Sequence, residues 1–158
     1  MTKALLVIDV QQAILSGLAS PERQPAIDAR LADVAARLGD LKRQAEAAGA
    51  PVVLVQHDGD PGHRLEVGGA GRRFRDEIAP RADTIVVHKR SCDSFHDTDL
   101  NERLAELGVD HLVIGGCMSQ FCVDTTTRRA VSMGFDVTLV EDGHATSDFG
   151  SLAAEQIV

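Results

Sequence analysis

The chain has 158 residues and a mass of 16.9 kDa, which suits one domain with a sizeable core. A net charge of −8 and a pI near 5.1 argue against nucleic acid or an anionic membrane surface as partner. No run of about 18 apolar residues occurs, so no transmembrane helix is expected, and three cysteines (Cys92, Cys117 and Cys122) without a CxxC pair suggest a reducing, cytoplasmic setting.

Lys3 to Val10 (KALLVIDV) is a continuous apolar run that ends in an acid. Such runs suit central strands of a parallel sheet, buried on both faces. Asp9 then sits at the C-terminal end of strand one, the edge where open α/β sheets bind ligands. A plain turn or helix-cap role is the competing reading for Asp9. Gln11 follows closely. From Pro25 an amphipathic helix carries Ile27, Leu31, Val34, Leu38, Leu41, Ala45 and Ala48, with Gly49 as its stop. Strand two is Pro51 to Gln56.

Residues 57–73 form a long Gly-rich polar connection, the kind that is commonly a lid or a substrate-contacting segment. Its GGAG lacks the order of a dinucleotide fingerprint, so no cofactor is expected. His57, Asp58, Asp60 and His63 have ligand chemistry but no strict spacing, and no metal site is expected. Phe74 and Ile78 pin a short helix before Pro80. Thr84 to His88 is strand three, with Lys89 at its end. Lysines are usually solvated; what raises Lys89 is its place on the same sheet edge as Asp9. Phe95, in the loop that follows, is an aromatic able to wall a pocket. A helix with Leu100, Leu104 and Leu107 runs from Thr98 or Asp99 to Gly108.

His111 to Gly115 is strand four. Two glycines then turn the chain into a helix with Val123, Thr127, Ala130 and Met133 on one face. Cys122 falls near the first turn of that helix, where unpaired N–H groups and the helix dipole favour a thiolate. It is thus a candidate nucleophile. Cysteine is also a common small core residue, and this stretch alone leaves both readings open. Phe135 to Val140 is strand five, and Glu141, Asp142 and His144 lie beyond it. His144 has the chemistry of a general base, but a loop histidine bonded to backbone is the favoured reading. A last helix starts at Ser151.

This order predicts a Rossmann-like, doubly wound parallel sheet, strand order 3-2-1-4-5, helices on both faces and a sixth strand as an option. Asp9, Lys89 and Cys122 converge at its switch point.

Those three residues, with their surrounding strings, resemble the isochorismatase-like cysteine hydrolase superfamily. The strings are Val7-Ile8-Asp9-Val10-Gln11, then His88-Lys89 followed by Ser94-Phe95 and Thr98-Asp99-Leu100. The third is Gly116-x-x-Ser119-x-x-Cys122-Val123-x-x-Thr126, ending in Ala130 and Gly134. The likeness spans nearly the whole chain. Ser119 stands where the family usually has Thr, which keeps the hydroxyl. The resemblance implies Cys122 as nucleophile, Asp9 as proton acceptor and donor, and Lys89 as the cation beside the thiolate. It also implies a non-proline cis peptide at Cys117–Met118, with the N–H groups of Met118 and Cys122 as oxyanion hole. Gln11, Phe95 and Ser119 are the candidate substrate contacts.

The activity implied is hydrolysis of an amide, lactam or ureido C–N bond of a small molecule. The metal-binding Asp-x-His of nicotinamidase relatives is absent, since Asp60 follows Asp58. Superfamily members that cleave the ether of isochorismate lack the cysteine. Residues 122–127 and 142–146 resemble a branch that includes streptothricin hydrolase, a lactam-opening amidase. Arg72, Arg73 and Arg90 are candidate receptors for a substrate carboxylate. A homodimer or homotetramer, and a C-terminus shorter than the family's, are further expectations. An isochorismatase-type ether hydrolase is the alternative within the superfamily, and two readings of other classes compete: a ligand-binding relative without turnover, and a thiol sensor built on Cys117 and Cys122.

Overall fold

The computed structural model describes residues 1–158. Five strands form one sheet: β1 (Lys3–Ile8), β2 (Val52–His57), β3 (Ile85–Lys89), β4 (His111–Cys117) and β5 (Asp136–Ala145). All neighbours pair in parallel, in the order β3-β2-β1-β4-β5. The sheet ends at β5 with no sixth strand. The helices are α1 (Gln24–Ala47), α2 (Leu100–Glu106), α3 (Asp124–Ser132) and α4 (Ala154–Ile157). The short helix expected near Phe74 is a single 3₁₀ turn, Asp76–Ile78.

The sheet is coated on both faces because β1 buries both sets of its side chains. Leu5 and Val7 point into a core shared with Ile27, Leu31, Val34 and Leu38 of α1. Leu6 and Ile8 point the other way, into a core with Leu100 and Leu104 of α2 and Val123 and Ala130 beside α3. Period-two alternation along a central strand feeds two cores at once. Each fully buried aliphatic side chain contributes about 1.5–3 kcal/mol.

Two glycines set the geometry at the functional end. A Cβ on Gly115 would lie 2.6 Å from Leu38 Cδ2 and 2.7 Å from Gly143 O, so its absence lets α1 pack close. Gly116 has φ +134° and no room for a Cβ against the Ile8 backbone, so β1 and β4 approach closely where the site begins. The β4–β5 register shifts between Ile114 and Gly116. Beyond that shift β5 continues to Ala145, so Glu141, Asp142 and His144 belong to the strand rather than lying past it. On this edge strand Glu141 and Asp142 face solvent, Asp142 pairing with Arg37 at 3.1 Å, while His144 turns inward.

On α3 the inward residue is Thr126 rather than Thr127, because the loop after β3 docks on it. Thr126 Oγ1 accepts from the Ser94 N–H at 3.0 Å and lies 2.9 Å from Ser94 Oγ. The 57–73 connection is pinned rather than free. Leu65 is buried in the α1-side core, and Gly59 donates to Leu65 O at 2.9 Å. Ala13 and Gln12 donate to Gly71 and Arg73 at 3.0 and 2.8 Å.

Candidate active site

Three chain ends meet at the carboxyl edge of the sheet. Asp9 follows β1, Lys89 closes β3, and Cys122 lies in a π-helical turn, Ser119–Val123, between β4 and α3. π turns recur at functional sites. Lys89 reaches across β2 to join them. Its Nζ donates to Asp9 Oδ2 at 2.7 Å and to Ser91 O at 2.9 Å, and lies 3.3 Å from Cys122 Sγ. His57, paired with Lys89 in register, places Nδ1 3.2 Å from the same Nζ. An ammonium has three N–H donors, so His57 and Cys122 share the third.

Asp9 is fully buried and Lys89 is 2 % exposed. Asp9 also sits in left-handed backbone, φ 53°, which costs a non-glycine residue on the order of 1–3 kcal/mol. The Asp9 N–H bonds to Val55 O at 3.0 Å and its carbonyl accepts from Gln11 at 2.9 Å, which holds the turn. The Asp9 Oδ1 oxygen is buried and makes no hydrogen bond. Such an orphan acceptor is ready to take a proton.

The charges are coupled. Burial pushes the Asp9 carboxyl up, partly offset by Lys89. Burial works against the Lys89 ammonium, but Asp9 and Cys122 outweigh it and hold Lys89 above its ordinary value. The Cys122 thiol is pushed up, first by burial and then by the Asp9 charge, with Lys89 opposing. The helix-start argument favoured a thiolate; in the folded site burial and Asp9 win, and the resting sulfur keeps its proton. His57 is pushed down to about 4 by burial and then by Lys89, so it is neutral near pH 7. No catalytic role for His57 was read from the sequence. Its place at the end of β2, beside Lys89 in the 3-2-1-4-5 order, was the available signal.

The Cys117–Met118 peptide is cis. The Met118 N–H donates to no backbone or side-chain acceptor and is free. Ser119, buried behind this segment, bonds through Oγ to His144 Nδ1 at 2.8 Å, which ties the segment to β5. Cys117 is fully buried, and burial raises its thiol to about 12. Cys117 therefore offers no solvent-accessible thiol, which a sensor pair with Cys122 would require.

The substrate candidates fare differently. Gln11 is fully buried and its amide is committed: Nε2 donates to His57 O at 3.0 Å and Arg72 O at 2.8 Å, and Oε1 accepts from the His57 N–H at 3.0 Å. It clamps the 57–73 connection to β1 and is not open to a substrate. Phe95 is half-buried and stacks on Phe135, ring centroids 5.9 Å apart. Ser119 is held by His144. Arg72 and Arg90 are paired with Asp58 and Asp60 at 2.6 and 2.9 Å, and Arg73 is exposed, its Nε facing Ala70 O at 3.4 Å. The first two are thus satisfied internally. Those pairs also occupy Asp58 and Asp60, and His63 Nδ1 accepts from the Leu65 N–H at 3.1 Å.

Fold and site together define a doubly wound α/β protein with a buried Asp–Lys–Cys cluster at its sheet edge. The isochorismatase domain model matches residues 3–155, and the chain belongs to that family. A streptothricin hydrolase of Streptomyces noursei is 39% identical over 146 residues, 92% of this chain and 55% of that protein. The chain thus spans about half the length of that curated relative. An isochorismatase from Pseudomonas putida superposes with TM-score 0.88 at 34% identity, over 98% of this chain and 78% of that one. N-carbamoylsarcosine amidase from Thermoplasma acidophilum gives TM-score 0.78 at 28% identity, over 92% of this chain and 85% of that one.

Proposed function

We propose that the chain hydrolyses a C–N bond of a small amide, lactam or ureide through a thioester on Cys122. The observation that carries this reading is the buried cluster itself. Lys89 Nζ touches both Asp9 Oδ2 and Cys122 Sγ, while Asp9 Oδ1 stays unbonded. The names of two relatives, a streptothricin hydrolase and an N-carbamoylsarcosine amidase, support C–N chemistry over other reactions.

The chemistry follows from the arrangement. As Cys122 Sγ attacks the carbonyl carbon, its proton passes to Asp9. The new S–C bond leaves a tetrahedral oxyanion, which the free Met118 N–H and the Cys122 N–H receive; each such donor is worth roughly 3 kcal/mol. Asp9 returns the proton to the nitrogen as the C–N bond breaks, since an amide anion is a poor leaving group. Asp9 then takes a proton from water, which adds to the thioester. The S–C bond breaks, and the sulfur regains its proton. Lys89 carries a positive charge throughout and balances the one negative charge, which passes from Asp9 to the oxyanion as the S–C bond forms and returns to Asp9 as the C–N bond breaks.

The test is ammonia or amine release from a panel of small amides, lactams and ureides, by the wild-type chain and Cys122→Ala. Release by the wild type that is lost in the variant is the expected result. Equal release from both would sink the reading.

A further inference from the structure

A cavity of about 250 Å³ lies against the oxyanion segment, with Met118 in its wall. That is just below the roughly 300–1,000 Å³ of drug-sized ligand pockets and suits a small substrate. Its lining is unusual in three respects. Thr146 and Ser147 are 1 % and 3 % exposed, yet neither hydroxyl has a hydrogen-bond partner, and Gln120 Oε1 is buried without one. Buried polar groups are normally satisfied, so three orphans among the residues of one lining make this an under-bonded wall. Phe121 and Phe149 meet edge to face, centroids 5.5 Å apart, and give the cavity an apolar side.

The third feature is charge. Arg64 also lines this cavity. Its Nε donates to Ile14 O at 3.0 Å and its Nη1 lies 3.4 Å from His63 Nε2, but Nη2 is unassigned and no carboxylate pairs with it. Burial lowers its pKa and no anion offsets this. The one carboxylate on the cavity wall, Asp148, is held by Arg23 at 2.8 and 2.9 Å. A half-buried guanidinium with a free edge on a cavity is built to receive a planar anion.

We infer that this cavity is a substrate pocket in which Arg64 binds a carboxylate remote from the scissile bond, with Thr146, Ser147 and Gln120 completing the polar wall. The substrate class is a small amide or ureide that carries such a carboxylate. This assignment rests on the amidohydrolase reading of Cys122. It moves the carboxylate receptor from Arg72, Arg73 and Arg90 to Arg64, whose side chain alone among the four faces the oxyanion segment from a shared cavity.

The experiment follows iodoacetamide alkylation of Cys122 by peptide mass, with succinate, glutarate or adipate as protectant and glutaramide as the neutral control. It compares the wild type with Arg64→Gln and Arg64→Lys, each checked for native melting. Protection by at least one of the acids and not by glutaramide is expected. Arg64→Gln should raise the half-protecting concentration roughly tenfold to a hundredfold, the worth of a charged hydrogen bond. Arg64→Lys, which keeps charge but loses the planar fork, should fall between. Equal protection in all three proteins, or none by any acid in the wild type, overturns the pocket assignment and leaves the nucleophile standing. If Arg64→Gln does not fold, unchanged protection in Arg64→Lys counts against the assignment. A folded protein whose Cys122 does not alkylate at all removes the amidohydrolase reading, and this inference with it.

Discussion

Replacing Lys89 with Met removes the cation 3.3 Å from Cys122 Sγ while keeping much of its length. Coulomb's law at that separation gives about 5 kcal/mol at an effective dielectric of about 20, and about 1.3 kcal/mol in bulk water. The thiolate should therefore become about tenfold to several-thousandfold rarer at a given pH. The lower part of that range is expected. Without its cation the buried Asp9 takes up a proton, which relieves part of its repulsion on the sulfur. Asp9→Asn should act in the opposite sense. The Asp9 charge holds the thiol up, so its removal makes Cys122 alkylate faster at neutral pH, even though turnover is lost. The assay is the rate of iodoacetamide labelling against pH by intact and peptide mass, with exposed Cys92 as the internal standard. Mass is the readout of choice because the chain has no Trp or Tyr. The reasoning is refuted if Lys89→Met labels as fast as wild type, or if Asp9→Asn slows labelling as Lys89→Met does.

Three further outcomes follow from the same geometry. Gly116→Ala puts a Cβ into the Ile8 backbone at φ +134° and should destabilise by more than about 4 kcal/mol, read as insoluble or unfolded protein by circular dichroism. Wild-type yield and melting would contradict the close approach of β1 and β4. His57 titrates near 4 in the fold but near 6.5 unfolded, so its contribution to stability is full above about pH 6.5 and is lost as pH falls toward 4. Melting temperatures over that window should drop less for His57→Gln than for wild type; parallel curves would refute the burial of a neutral His57. Thr126→Val leaves the Ser94 N–H without its acceptor and should cost about 1–3 kcal/mol in chemical denaturation, against little for Thr127→Val.

Much of this site was legible in the sequence because it hangs on strand ends. Apolar runs fix β1 to β4 within a residue or two, and the order β3-β2-β1-β4-β5 then brings Asp9, Lys89 and Cys122 together. The continuation of β5 through Glu141 and Asp142 was not legible. An edge strand shows polar residues to solvent, and these read as a loop. Thr126 and Thr127 both fit a helical stripe, and only the docked loop at Ser94 decides between them. Gln11 read as a substrate contact because it stands two residues from Asp9; its amide is instead committed to residues 57 and 72, a contact set by loop conformation. Arg64 was hidden for the same reason. The protonation of Cys122 was not readable either, because it depends on burial and Asp9 outweighing Lys89.

The central claim is that Cys122 forms a covalent acyl intermediate, with Asp9 moving the proton. The most direct measurement is acid-quenched reaction with an amide found to be turned over, followed by peptide mass of the Cys122 fragment. The account predicts a mass increment equal to the acyl group on Cys122 alone, removed by hydroxylamine and absent from Cys122→Ala and from unreacted protein. Undiminished turnover by Cys122→Ala, or an acyl group found on another residue, would contradict it.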